Sequence, residues 1–142
     1  MQKIISLYSR TLSYINLLSP LMMLVLRLWI AHAFWVSGLV KIEDFSNTVA
    51  LFEQEYKVPF LPPYFAALSG TFFELACPIL LTLGLATRLA TLPLLAMTMV
   101  IQFSYDQNIE HYYWAMLLGT IFFYGPNKLS LDHFIAKRFK HS

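Results

Sequence analysis

The chain has 142 residues, of which 58% are hydrophobic, 16% are aromatic and only 13% are charged. A soluble domain carries charge on about 25% of its residues, so this composition excludes an ordinary water-soluble protein and also a disordered one. Its single cysteine excludes an intrachain disulfide and a Cys-based metal site, and its net charge of +2 excludes a nucleic-acid-binding domain. The composition predicts one small integral membrane domain, with no metal site.

Four apolar stretches are long enough to cross about 30 Å of hydrocarbon at about 1.5 Å per residue. They are residues 21–41, 64–85, 89–105 and 109–125. Ser19 and Pro20 are expected to begin the first helix, Gly84 to end the second, and Gly125 to end the fourth. The predicted fold is therefore all-α, a single transmembrane four-helix bundle over residues 1–142.

Three amphipathic segments lie outside these spans. Apolar residues recur at helical spacing before the first span (Ile5, Tyr8, Leu12 and Ile15) and in the outer loop of residues 42–63 (Phe45, Val49, Phe52 and Tyr56). The first set predicts a helix in the membrane interface, and the second predicts a short amphipathic helix that packs over the outer mouth of the bundle. Residues 126–142 form a basic inner tail suited to an anionic leaflet.

The distribution of Lys and Arg predicts the orientation of the chain. With the N-terminus in the cytoplasm, seven basic residues lie on the inner side and two, Lys41 and Lys57, lie outside. The seven are Lys3, Arg10, Arg88, Lys128, Lys137, Arg138 and Lys140. Both termini of this multi-pass protein are therefore expected in the cytoplasm. The lipid bilayer is its first expected partner.

Three ionisable side chains fall inside the predicted spans, where each costs about 2.5–3.5 kcal/mol on insertion scales and needs a partner. They are Arg27 and His32 in the first span and Glu74 in the second. Depth counted from Pro20 and from Leu85 places Arg27 within reach of Glu74, with His32 at the level of the carboxylate. The sequence thus predicts a buried Arg27–Glu74 pair. It is either a structural lock between two helices or the centre of a pocket for a small anion, a quinone head group or a proton.

Other side chains near these three have two interpretations each. Trp35 and Cys77 are candidates for lining a ligand pocket, although an aromatic or a buried thiol in such a chain is more often core packing. His32 is expected to be a hydrogen-bonded core residue rather than a metal or haem ligand. Arg88 lies in a short turn, where it is expected to meet backbone carbonyls or lipid phosphate.

The order of polar and small residues along the chain resembles that of a known family. Arg27 is followed by Gly38 and Lys41 in a Gly-x-x-Lys pattern, then by Glu74, and then by a glycine and Arg88 in Gly84-Leu85-Ala86-Thr87-Arg88. This set, within a stretch from about residue 27 to 134, is similar to the DoxX family of small bacterial inner-membrane proteins. The resemblance implies a four-helix bundle in which Arg27, Lys41, Glu74 and Arg88 are the characteristic polar positions.

The resemblance also implies a function. Family members are connected with thiosulfate:quinone oxidoreduction and with membrane assemblies that handle sulfur or oxidative stress, so this chain is expected to be the small subunit of such an assembly. Its sequence has no cofactor motif, and a bound quinone is the one candidate cofactor. The expected partners are membrane or peripheral redox proteins and a second copy of the chain. The alternative is a non-catalytic scaffold that anchors partner proteins.

Overall fold

The computed structural model of the chain describes residues 2–104 and 108–140. All regular structure in these residues is helical. The elements are α1 (Gln2–Glu43), α2 (Phe45–Leu51), a π-helix here called π1 (Phe52–Tyr56), α3 (Pro63–Leu83), α4 (Thr87–Ser104), α5 (Ile109–Tyr124) and α6 (Leu131–Lys140). Residue 105, the last of the third predicted span, and residues 141–142 of the predicted tail lie outside the described residues.

The long helices pack side by side. α1 contacts α3, α3 contacts α4, α4 contacts α5, and α5 contacts α1. Three helical stretches, Leu12–Glu43, Pro63–Leu83 and Thr87–Ser104, are long and apolar enough to cross a membrane, as the first three predicted spans require. α5 has 16 residues and matches the position of the fourth predicted span. The predicted four-helix membrane bundle and its orientation stay predictions.

The prediction that Ser19 and Pro20 begin the first membrane helix is wrong. α1 is a single helix of 42 residues with Pro20 in its interior, and it includes the segment that was predicted to be a separate interfacial helix. Proline removes one backbone hydrogen bond from a helix. The residues on both sides of Pro20 favour a helical conformation, so the loss of that bond does not end α1. α1 is therefore about 63 Å long at about 1.5 Å per residue, twice the hydrocarbon thickness of about 30 Å.

One end of the packed helices, here called the loop end, is covered by residues 44–62. Phe52 of π1 is buried against Ala66 and Ala67 of α3, and Phe45 and Val49 pack around them. The Asp44 side chain caps α2 by accepting a hydrogen bond from the Asn47 backbone at 3.0 Å. The predicted amphipathic helix of the outer loop is thus present, with its apolar side against the bundle and with its last turn as a π-helix.

The opposite end, here called the turn end, consists of residues 84–87 and 125–132. Gly84 ends α3 at φ +69, a left-handed conformation that favours glycine. The Asp132 backbone N–H donates to the Gly84 carbonyl at 2.9 Å. The Asp132 carboxylate accepts from the backbone N–H groups of Ala86 at 2.7 Å and Thr87 at 3.0 Å, where α4 begins. The chain after α5 is therefore fixed against the turn between α3 and α4.

Candidate functional site

A buried ion pair joins α1 and α3 near the loop end. Lys41 Nζ lies 2.6 Å from each carboxylate oxygen of Glu74. The ammonium also donates to the Ser37 hydroxyl at 3.0 Å, one helical turn earlier on α1. Lys41 is 8% exposed and Glu74 is 1% exposed, so both charges are removed from solvent and lipid. Such a pair is held by short, charge-assisted hydrogen bonds.

A glycine on α1 allows the two helices to approach this closely. A Cβ on Gly38 would lie 2.9 Å from Leu75 Cδ2 and 3.1 Å from the Glu74 Cβ, tighter than side chains tolerate. Gly38 and Lys41 are three residues apart and therefore share a face of α1. The glycine thus sets the distance between the helices, and the lysine one turn later supplies the charge that Glu74 requires.

An apolar cavity of about 270 Å³ adjoins the ion pair. Lys41 forms part of its wall, and the remaining wall comes from π1, the loop after it, α3 and α4. The main contributors are Phe52, Tyr56, Phe73, Met97 and Val100. Cavities of about 150 Å³ hold benzene, so this one is large enough for a substituted ring. Its single charged wall residue, Lys41, is able to orient a polar group on that ring.

Two further polar groups are buried near the loop end. The Thr71 hydroxyl lies three residues before Glu74 on α3, and it has no hydrogen-bond partner among the described residues. His111 Nδ1 of α5 lies 3.0 Å from Gln102 Oε1 of α4, and both side chains are buried. The burial of Gln102 and His111 depends on packing between α4 and α5, which the sequence of either helix alone does not report.

The predicted Arg27–Glu74 pair is wrong, although both side chains are buried as expected, at 1% exposure each. The Arg27 guanidinium lies at the turn end, where Nη1 donates to the Pro126 carbonyl at 3.0 Å and Nη2 donates to the Leu129 carbonyl at 2.6 Å. Glu74 is paired with Lys41 instead. Arg27 therefore binds the chain after α5 to α1, and Glu74 belongs to a separate site.

The register between α1 and α3 explains the error. Gly84, at the end of α3, lies against Arg27 of α1. Glu74 of α3 lies against Gly38, which follows Arg27 by eleven residues in α1. Eleven residues span about 16 Å of helix, more than a guanidinium stem covers. The predicted depths were counted from Pro20, which is not the start of α1. The Gly-x-x-Lys spacing, combined with antiparallel packing, was the signal that would have identified Lys41 as the partner.

His32 is exposed on α1, so the prediction that it belongs to the buried polar site is wrong. The side chain lies on the outer face of α1, beside a groove that Trp35 and Pro78 also line. Cys77 is a free thiol that is buried in the apolar core with Ile30, among others. Trp35 and Cys77 thus lie in different surroundings, one at the surface and one in the core.

Arg88 lies at the turn end, where the sequence placed it. Its Nη2 donates to the Phe123 carbonyl at 3.4 Å, close to where α5 ends. The guanidinium also lies against Gly125, where a Cβ would be 3.1 Å from Nη2. Arg88 thus meets a helix carbonyl, one of the two partners expected for it, and like Arg27 it joins the chain after α5 to the rest of the bundle.

A comparison with known protein families identifies the family of this chain. The family model described as DoxX matches residues 22–107, more than half of the chain. No curated protein and no solved structure matches the chain significantly. The matched region contains the Lys41–Glu74 pair together with Arg27 and Arg88. With apolar helices long enough to cross a membrane, the chain is a membrane protein and belongs to the DoxX family.

Proposed function

We propose that this protein binds the ring of a quinone in the cavity beside Lys41 and Glu74, as the small membrane subunit of a redox assembly. The observation that carries the proposal is an otherwise apolar cavity of about 270 Å³ with the buried side chain of Lys41 in its wall. A quinone matches this chemistry, because its ring is apolar and its carbonyl oxygens accept hydrogen bonds.

The contacts of Lys41 suggest how the ring is held. Of its three contacts, the one to the Ser37 hydroxyl is the longest at 3.0 Å, and a quinone carbonyl is expected to replace it. Glu74 then keeps the ammonium in place from the other side, through contacts of 2.6 Å. The chain offers no electron-carrier motif, so the proposed assembly includes a redox partner protein that supplies two electrons, and two protons from water complete the reduction of the quinone to the quinol.

A sulfur oxyanion is a poorer occupant of the same cavity. The Lys41 charge that an anion would need is already neutralised by Glu74, and the wall of the cavity is almost entirely apolar. Arg27 is not available to such an anion, because the backbone carbonyls of Pro126 and Leu129 occupy it. The proposal therefore assigns the quinone to this chain and leaves any sulfur chemistry to a partner.

The test is the quinone content of the full-length protein purified in mild detergent. Organic extracts are scanned for a quinone spectrum, and retained quinone is expected in near-stoichiometric amount. Ala66→Phe places a ring in the cavity wall and is expected to lower the quinone content at least tenfold. Ala76→Phe, on the same helix but not in this cavity wall, is the matched control and is expected to retain it.

A second variant tests the contribution of the ion pair to quinone binding without changing the shape of the cavity. Glu74→Gln keeps the shape of the side chain but removes its charge, so residue 74 binds the Lys41 ammonium less strongly. The variant is expected to fold and to lower quinone retention several-fold. Quinone-free preparations of the folded wild type, in membranes that contain quinone, would contradict the proposal. That result would favour the alternative, a scaffold that anchors partners without binding a redox ligand.

The proposal also includes α5 as a fourth span in the bacterial inner membrane, with both termini in the cytoplasm. α5 is short for a span, but the exposed rings of Tyr112 and Tyr113 near its start and of Phe123 and Tyr124 at its end suit the two interfaces. Basic residues near the turn end and in α6 support the orientation. A thiol reagent that cannot cross membranes is expected to label Lys57→Cys in intact cells, and Lys128→Cys only after permeabilisation. The opposite pattern would refute the orientation.

A further inference from the structure

The outward face of α1 carries a regular pattern that the packing within one chain does not use. Large side chains recur at alternating spacings of three and four residues, the a and d positions of a heptad repeat. All of them are exposed, and within the membrane region they are Leu21, Val25, Leu28, His32, Trp35 and Leu39. The same spacing continues back to Leu18 and Tyr14, which are also exposed. We call this set the α1 seam.

The remaining heptad positions show that the α1 seam faces away from the bundle. The f positions lie opposite the seam in a heptad, and at two of them Met23 and Ile30 are buried in the core of this chain. α1 thus has one face used by its own bundle and an opposite face with coiled-coil spacing. Repeats of this kind that are sustained over three to four heptads favour pairing between helices.

Among the six α1 seam residues of the membrane region, His32 is the most polar, and it occupies an a position. It is exposed and makes no hydrogen bond with the described residues. An imidazole within a membrane span needs a polar partner, and in coiled coils one polar residue at an a position fixes register and the number of strands. In a parallel pair of α1 helices, His32 meets His32 of the second copy, and one ring donates a hydrogen bond to the other.

We propose that the α1 seam is the interface of a parallel homodimer, with a two-fold axis along the membrane normal and the two His32 side chains paired across it. This geometry is isologous and preserves one orientation in the bilayer. Ile42, the next d position after Leu39, is also exposed and ends the seam. From Tyr14 to Ile42 the seam is about 42 Å long, and half the circumference of a helix about 11 Å wide is roughly 17 Å. Each copy then buries about 700 Å², or about 1,400 Å² in total, within the range of about 1,200–2,000 Å² for stable interfaces.

The interface does not include the cavity beside Lys41 and Glu74, so a negative result for one proposal does not contradict the other. Oxidative crosslinking in native membranes tests it, with full-length variants that carry one new cysteine. Val25→Cys and Leu28→Cys are expected to give more than half of the protein as a disulfide-linked dimer. Leu89→Cys on α4 and Met116→Cys on α5 are controls that are more exposed than either test position but off the seam, and they are expected to give under a tenth. The wild type, with only buried Cys77, supplies the background.

A second measurement tests the role of His32. His32→Ala is expected to raise the dimer dissociation constant in detergent about threefold to tenfold, the range of a hydrogen bond in a membrane. His32→Asn keeps a hydrogen-bonding side chain and is expected to restore most of the affinity. Three results would each overturn the proposal. The first is crosslinking at the controls that equals crosslinking at the seam. The second is a monomeric mass with no crosslink in membranes, and the third is a crosslink to a protein of different mass.

Discussion

Removal of the Lys41 ammonium is expected to destabilise the protein strongly. Lys41→Met keeps the length of the side chain but leaves the Glu74 carboxylate, 1% exposed, without its cation. Breaking a buried pair from one side destabilises a protein by about 3–5 kcal/mol. For a chain of this size, 1 kcal/mol corresponds to about 2–4 °C in Tm, so the expected decrease in Tm is about 6–20 °C.

The double variant Lys41→Met with Glu74→Met distinguishes a broken pair from a loss of packing. Replacing both charges by apolar side chains of similar volume is expected to recover most of the lost stability, because buried pairs replaced in this way are neutral or up to about 4 kcal/mol more stable. Thermal unfolding in detergent, followed by circular dichroism, measures the stability of the single variant and of the double variant. Lys57→Met, which removes an exposed charge, is the control. A double variant as unstable as the single one would refute the reasoning.

Predictions for three residues at the turn end, and for Gly119 of α5 as a comparison, use the same unfolding assay. Arg27→Met removes two charge-assisted hydrogen bonds, and at about 1.5–3 kcal/mol each the expected loss is about 3–6 kcal/mol. A loss below 1 kcal/mol would mean that solvent replaces these bonds. Gly84→Ala is expected to destabilise by more than about 1 kcal/mol, since its φ is +69 and its Cβ would meet Ser130 Cβ at 2.6 Å. Gly119→Ala, with open space around its Cβ, is expected to stabilise by about 0.5–1 kcal/mol, and the opposite order would contradict this geometry. Asp132→Ala removes the acceptor at the start of α4 and is expected to lower stability by about 0.5–2 kcal/mol, with a smaller loss for Asp132→Asn.

The candidate site was partly predictable from the sequence. That Arg27 and Glu74 are buried followed from the free-energy cost of ionisable groups in apolar helices, which depends on residue type and on neighbours along the chain. Their partners did not follow, because a partner depends on how far one helix slides along another. Gly38 sets that register through a contact with Glu74, and no local pattern reports a contact across 36 residues.

By itself, the sequence determined the membrane class, the helical content and the positions of three apolar helices, since these depend on composition and on periodicity within a segment. Only the tertiary structure decided that α1 continues through Pro20, that Lys41 rather than Arg27 neutralises Glu74, and that His32 faces outward. The physical reason is that each of these depends on packing between distant segments. A helix tolerates a proline, and a charge finds its partner, only where the neighbouring helices provide the contacts.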